Sequence, residues 1–137
     1  MSFLIVRQTI KNGRKMFGAF ALTNIARNTN LGRYSGVYRK RRQNNSAVSS
    51  YDMIDVRRPE YVFSPTNEHG EILERFRGKP LLYVNEPSER GETSNVMILA
   101  GRRAGEYPSF ITTKKIKRGQ EILVRYGALY KRDYSVI

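Results

Sequence analysis

The chain has no cysteine among its 137 residues. That excludes a disulfide framework and any cysteine-ligated zinc cluster as a means of holding the fold, and it leaves the redox compartment open. Histidine is nearly absent: His69, the single one, sits in the polar turn TNEHGE and reads as an exposed loop residue with no catalytic part. Carboxylates are scattered, without an H-E-x-x-H helix or a paired D-x-D, so neither a metal site nor triad hydrolysis has residues to stand on. Long apolar runs are missing too. The N-terminal FLIV meets Arg7 at once, too soon for a signal-peptide core or a membrane span. A soluble intracellular chain is the expectation.

Acidic residues are also scarce. Twelve Asp and Glu stand against 25 Lys and Arg, a formal net charge of +13. An excess of that size favours polyanionic partners, because phosphate contacts release condensed counterions and the summed field steers association. Nucleic acid, a nucleosomal surface and anionic lipid all fit. The charge therefore names a partner class and no reaction. A chain of this length with 39% apolar residues suits a single domain, residues 1–137, around a single core.

Sustained helical periodicity is absent, and short extended segments take its place. FLIVRQTI is rich in β-branched and aromatic residues and ends at Asn12-Gly13, the preferred chemistry of a tight hairpin turn. KMFGAFALTNI is placed to pair back on it. Further strands are expected at LGRYSGVYRK, EYVFSP, LERF, LLYVN, SNVMILAG, SFITTKKI and EILVRYG, with Gly, Pro and Asn between them. The polar and basic stretch over 39–58 reads as a surface insertion. Its run Arg39, Lys40, Arg41, Arg42 is the candidate nucleic-acid contact. Two further segments stand out: the loop NEPSERGETSN, which follows the apolar PLLYV, and the late EILVRYGALY.

Taken in order, three segments resemble the SET-domain protein lysine methyltransferases. FGAFALTNIARNTNLGRYSGVY is similar to that family's opening motif through Gly18, Phe20, Ala21, Ile25, Leu31, Tyr34 and Gly36. The stretch from YVFSPTNEHG to ETSNV resembles the central block that ends in an N-H-S-x-x-P-N loop, through Glu74, Asn85, Ser88 and Asn95. ITTKKIKRGQEILVRYGALY resembles the closing block through Ile116, Gly119, Glu121, Ile122, Tyr126, Gly127 and Tyr130. The motifs span about residues 13–130. Met16 stands in place of the first glycine of G-x-G, Asn28 in place of a glycine, Arg33 in place of a glutamate and Glu86 in place of the histidine.

The resemblance implies a mostly β, SET-domain-like β-clip fold of several small curved sheets with a pseudoknot-like threading of the C-terminal segment. It also implies S-adenosylmethionine as cofactor and a lysine of a histone or other chromatin-associated protein as substrate, in the nucleus or on chromatin, with the cytoplasm as the other location. On it Tyr126 is the first-choice catalytic tyrosine and Tyr34 is the second catalytic residue. Gly18, Phe20, Asn85, Glu86 and Tyr130 hold the cofactor, and Tyr34, Tyr38, Tyr126 and Tyr130 wall the substrate channel. Tyrosine suits that wall chemically, since the ring packs on the lysine stem while the hydroxyl orients the amine. A homodimer is compatible and nothing in the sequence requires it. Two other readings stay open: a SET-like basic module without transfer activity, which Met16, Arg33 and Glu86 favour, and an unrelated RNA-binding protein in which tyrosine and arginine alternate.

Overall fold

The computed structural model describes residues 3–41 and 51–127. Eight strands run in chain order: β1 Leu4–Lys11, β2 Arg14–Ala21, β3 Asn30–Arg33, β4 Val37–Lys40, β5 Met53–Ile54, β6 Tyr61–Ser64, β7 Val96–Leu99 and β8 Ser109–Thr112. They form three small antiparallel sheets: the β1-β2 hairpin, a sheet in the order β3-β8-β7 and a sheet in the order β4-β6-β5. The fold is mostly β, as the sequence leads one to expect, and no α-helix occurs among the described residues.

The hairpin turns where Asn12-Gly13 predicts it, with φ of 49° and 79°. Both residues lie in the left-handed region that a two-residue turn of this kind requires. Two expected strands are turns. LERF and LLYVN instead form 3-10 turns at Glu74–Phe76 and Pro80–Tyr83. Pro80 has no N–H to give a ladder, and the adjacent Leu81 and Leu82 are both buried. A strand would point them to opposite faces. The 39–58 insertion also differs from expectation: its ends are structural. Arg39 and Lys40 belong to β4, and Met53 lies in β5 between the buried Asp52 and Asp55, while Arg42 and positions 43–50 lie outside the described residues.

Core side chains come from all three sheets and from the late segment: Ala19, Phe63, Phe110, Ile116, Ile122 and Val124 are at most 2% exposed. Truncating one such aromatic or aliphatic group costs about 2–5 kcal/mol, so this shared core fixes the sheets on one another. EILVRYG makes only isolated bridges, Glu121 to Phe20, Leu123 to Asn85 and Val124 to Val96. Its neighbours come from three separate parts of the chain, so no ladder extends along it.

Candidate functional site

Residues 121–124 run between the two ends of the loop that starts at Asn85 and returns at Asn95. On one side the Asn85 carbonyl accepts the Val124 N–H at 3.0 Å. On the other, the Asn95 N–H donates to the Leu123 carbonyl at 2.9 Å. The Asn95 side chain adds a second pair: its Nδ2 donates to the Glu121 carbonyl and its Oδ1 accepts the Leu123 N–H, both at 2.9 Å. A primary amide presents a donor and an acceptor side by side, as a backbone peptide does. Asn95 thus stands in for a neighbouring strand, and the loop that joins the two asparagines closes over the segment. That is the threading the resemblance implies.

This threading delivers Tyr126. Its hydroxyl donates to the Val84 carbonyl at 2.6 Å, and its backbone N–H donates to Glu86 Oε2 at 3.1 Å. Glu86, expected to face a cofactor, is 1% exposed. Its carboxylate is turned inward onto the Tyr126 backbone, so in this structure it is a holder of Tyr126. The partly buried Tyr126 lines a cavity of about 380 Å³, together with Phe63, Val96, Ile98, Pro108 and Arg125 among others.

The other tyrosines lie elsewhere. Tyr34 is 4% exposed and stacked on Phe110, and its hydroxyl donates to the Tyr51 carbonyl. Tyr51 meets Tyr83 edge-on, and Tyr83 in turn meets Phe17. Tyr38 stacks on Tyr61, meets Phe63 at a tilt of 38° and donates to Asp55 Oδ2 at 2.7 Å. Desolvation and the Asp55 acceptor push its pKa up to about 12. Neither Tyr34 nor Tyr38 borders the cavity that Tyr126 lines, and Tyr130 lies outside the described residues.

Three of the expected cofactor residues, Gly18, Phe20 and Asn85, gather on a second face around Glu121. An added Cβ on Gly18 would lie 2.7 Å from Glu121 Oε2 and 3.2 Å from Asn85 Nδ2. Only glycine leaves room for that pair. Asn85 Nδ2 donates to the Phe17 carbonyl at 3.0 Å and to Glu121 Oε2 at 2.9 Å. With both N–H bonds directed at oxygens, the amide has one sensible orientation, and Oδ1 is left as an acceptor at a partly exposed position. Phe20 bridges Glu121, while Phe17 is 56% exposed beside this cluster. The cluster thus presents a partly exposed acceptor, Asn85 Oδ1, beside the exposed ring of Phe17.

Sequence reasoning missed the group that braces this face. Lys11, 3% exposed, contacts Glu92 and Glu121 at 2.8 Å each. Burial by itself would lower the Lys11 pKa, but the two carboxylates outweigh it and the net shift is upward. Glu92 also accepts the Ser88 and Glu89 N–H groups, and Asn12 bonds Glu89 and Ser88. The hairpin turn is thereby clamped to the loop between Asn85 and Asn95. No local pattern marks Lys11 as buried. It alternates with Ile10 like any exposed strand lysine, and its partner Glu92 is 81 positions away.

The basic run divides. Arg39 turns inward, donating to Ser64 Oγ at 3.0 Å and lying 3.8 Å from Asp52. Its register in β4 opposite Val62 places it over the sheet, so it is not an outward phosphate contact. Lys40 and Arg41 are exposed.

No family model and no curated protein sequence matches the chain. Solved structures do. The methyltransferase domain of human PR domain-containing protein 2 is 24% identical with a TM-score of 0.57, over 96% of this chain and 81% of that one. The Chaetomium thermophilum polycomb repressive complex 2 gives 18% and 0.65, over 94% of this chain and 16% of that one. A structure of ctPRC2 in an autoinhibited conformation bound to S-adenosylmethionine gives 17% and 0.66, over 96% and 16%. The chain spans about a sixth of the length of those polycomb chains. At these identities the likeness shows the fold alone, a SET-like β architecture.

Proposed function

We propose that this chain transfers a methyl group from S-adenosylmethionine to a lysine side chain of another protein. The observation that carries the reading is Tyr126, delivered by the segment 121–124 that runs between two asparagine-anchored loop ends and fixed at the wall of a cavity, with the Gly18, Asn85 and Phe17 cluster on the same framework. When bound, S-adenosylmethionine supplies an electrophilic methyl on a sulfonium, which a neutral amine displaces. A lysine has a pKa near ~10.4, so the cavity must favour its uncharged form. Phe63, Val96, Ile98 and Pro108 in the lining would desolvate the ammonium and lower that pKa, against the opposite pull of the Asp55 and Glu106 carboxylates that also line it. Tyr126 commits its proton to Val84, which turns its oxygen lone pairs toward other donors and orients an amine for attack. Asn85 Oδ1, fixed through its anchored Nδ2, holds the donor molecule, and Glu86 fixes the Tyr126 backbone.

The substrate we propose is a histone or another chromatin-associated protein, reached in the nucleus. The net charge of +13 would dock the enzyme on nucleosomal DNA, whereas an isolated basic tail would be repelled. One observation favours a second reading, a basic binding module without transfer. The space above Gly18 is filled by Glu121 and Asn85 side chains, and Lys11 neutralises Glu121. Calorimetry with S-adenosylmethionine separates the two. Saturable binding at one site is the expected result, and no binding at millimolar cofactor would select the module.

A further inference from the structure

The cavity beside Tyr126 is bounded by two outer strands, β5 through Met53 and Ile54 and β7 through Val96, Met97 and Ile98. Strand β7 offers hydrogen bonds there. The Val96 N–H points away from β8 to the Leu123 carbonyl, and the two-residue period of an antiparallel pair turns the N–H and C=O of Ile98 the same way. An extended peptide can add at such an edge. Three charged groups line the cavity, Asp55, Glu106 and Arg125. The Asp55 carboxylate already accepts the Tyr38 hydroxyl and the Gly105 and Arg57 N–H groups. Glu106 accepts the Arg102 N–H, and both carboxylates sit at the end formed by residues 101–106. Arg125 is different: it is exposed, adjacent in sequence to Tyr126, and has no hydrogen-bond or ion-pair partner among the described residues.

We propose that Arg125 selects a target lysine by an acidic residue next to it, so that the cavity takes an extended segment in which the lysine is flanked by Asp or Glu. The proposal rests on the lysine-methylation reading and narrows its substrate class. A lone guanidinium at the mouth forms a bidentate pair with a carboxylate and repels a neighbouring Lys or Arg. The overall positive charge adds long-range attraction for the same segment but cannot choose the flanking position.

The test uses fluorescent peptides with a single lysine flanked by glutamate, alanine or arginine. Anisotropy is read with S-adenosylmethionine present, on wild type, Arg125→Glu and the control Arg7→Glu, an equal charge change on an exposed β1 residue outside the cavity. Wild type and the control should bind the glutamate peptide about tenfold more tightly than the arginine peptide, the size of one good charge pair. Arg125→Glu should reverse the order. Equal binding of all three peptides, a preference that survives Arg125→Glu, or one abolished equally by Arg7→Glu would overturn the proposal. Methyl transfer is scored separately in the same samples. Arg125-dependent selectivity without transfer would sustain the selectivity and contradict the methyltransferase reading.

Discussion

The Tyr126 hydroxyl reaches the Val84 carbonyl at 2.6 Å, although 42 positions separate the two residues. Val84 immediately precedes Asn85, so a single bond ties the cavity wall to the base of the loop that carries the second cluster. The Tyr126 backbone is tied to the same loop through Glu86. Position and orientation of the ring are therefore set by one short stretch, residues 84–86, and a shift in that stretch would move both clusters together.

Replacing Asn85 by alanine removes the donor to the Phe17 carbonyl and to Glu121, along with the Oδ1 acceptor. Cofactor binding should weaken by about 1–3 kcal/mol, the usual cost of an unmade buried hydrogen bond. Titration calorimetry on the folded variant checks it, and unchanged affinity would refute the assigned role.

Lys11→Met should leave Glu121 and Glu92 facing one another without their cation. Breaking a buried pair on one side costs about 3–5 kcal/mol, and the partial exposure of Glu92 places the loss toward the low end. A double variant, Lys11→Met with Glu121→Gln, should recover part of it, because one of the stranded charges is gone. Denaturant unfolding of the single and double variants measures the difference, and strict additivity would contradict the network.

Acid should unfold the protein by way of Asp55 and Glu92. Desolvation would raise both carboxyls, but the N–H groups, the Tyr38 hydroxyl and Lys11 around them outweigh it, and both stay below their ordinary values. Groups with a depressed folded pKa stabilise above the unfolded value near ~4 and lose that contribution as pH falls through the folded value. Lys11 and Tyr38 are shifted upward, so their contributions are complete below about pH 10 and are lost as pH rises through the folded values. A melting temperature level through the neutral range and falling at both ends is expected; one unchanged from pH 7 to pH 3 would be the contrary result.

The basic run should split by function. Neutralising Lys40 and Arg41 should flatten the salt dependence of binding to DNA by about one unit of slope per lost phosphate contact. Arg39→Ala should instead lower thermal stability, since it removes the bond to Ser64 Oγ and the 3.8 Å contact to the buried Asp52. An identical salt slope in the Lys40 and Arg41 variant would make that end of the strand a bystander.

Much of the fold was legible in the sequence because it is written locally. Asn12-Gly13 fixes the hairpin, the β-branched and aromatic runs give β6, β7 and β8, and Asn28 adopts a φ of 65° where the resembled motif has glycine. The turn at Pro80–Tyr83 was misread because an apolar, aromatic-rich run also looks like a strand; proline and paired burial decided against it. Arg39 and Lys11 were illegible for another reason. Both look like surface cations, and only partners far along the chain, Asp52 and Ser64 for the one and Glu92 and Glu121 for the other, turn them inward. The direction of the Glu86 carboxylate depends on the Tyr126 N–H, a relationship that no spacing encodes.

The most direct measurement is single-turnover transfer of a labelled methyl from S-adenosylmethionine to lysine in nucleosomes and in acid-flanked peptides, run side by side on wild type and Tyr126→Phe with cofactor affinity and melting temperature from the same preparations. Phenylalanine keeps the packing and removes the oxygen, leaving the Val84 carbonyl short of one donor at a cost of about 1 kcal/mol in stability. The account predicts labelled lysine from wild type, and from the variant a rate lower by about a hundredfold or more, ~3 kcal/mol of transition-state stabilisation, with cofactor affinity preserved. No label on lysine from wild type, or an equal rate from the variant, would contradict it.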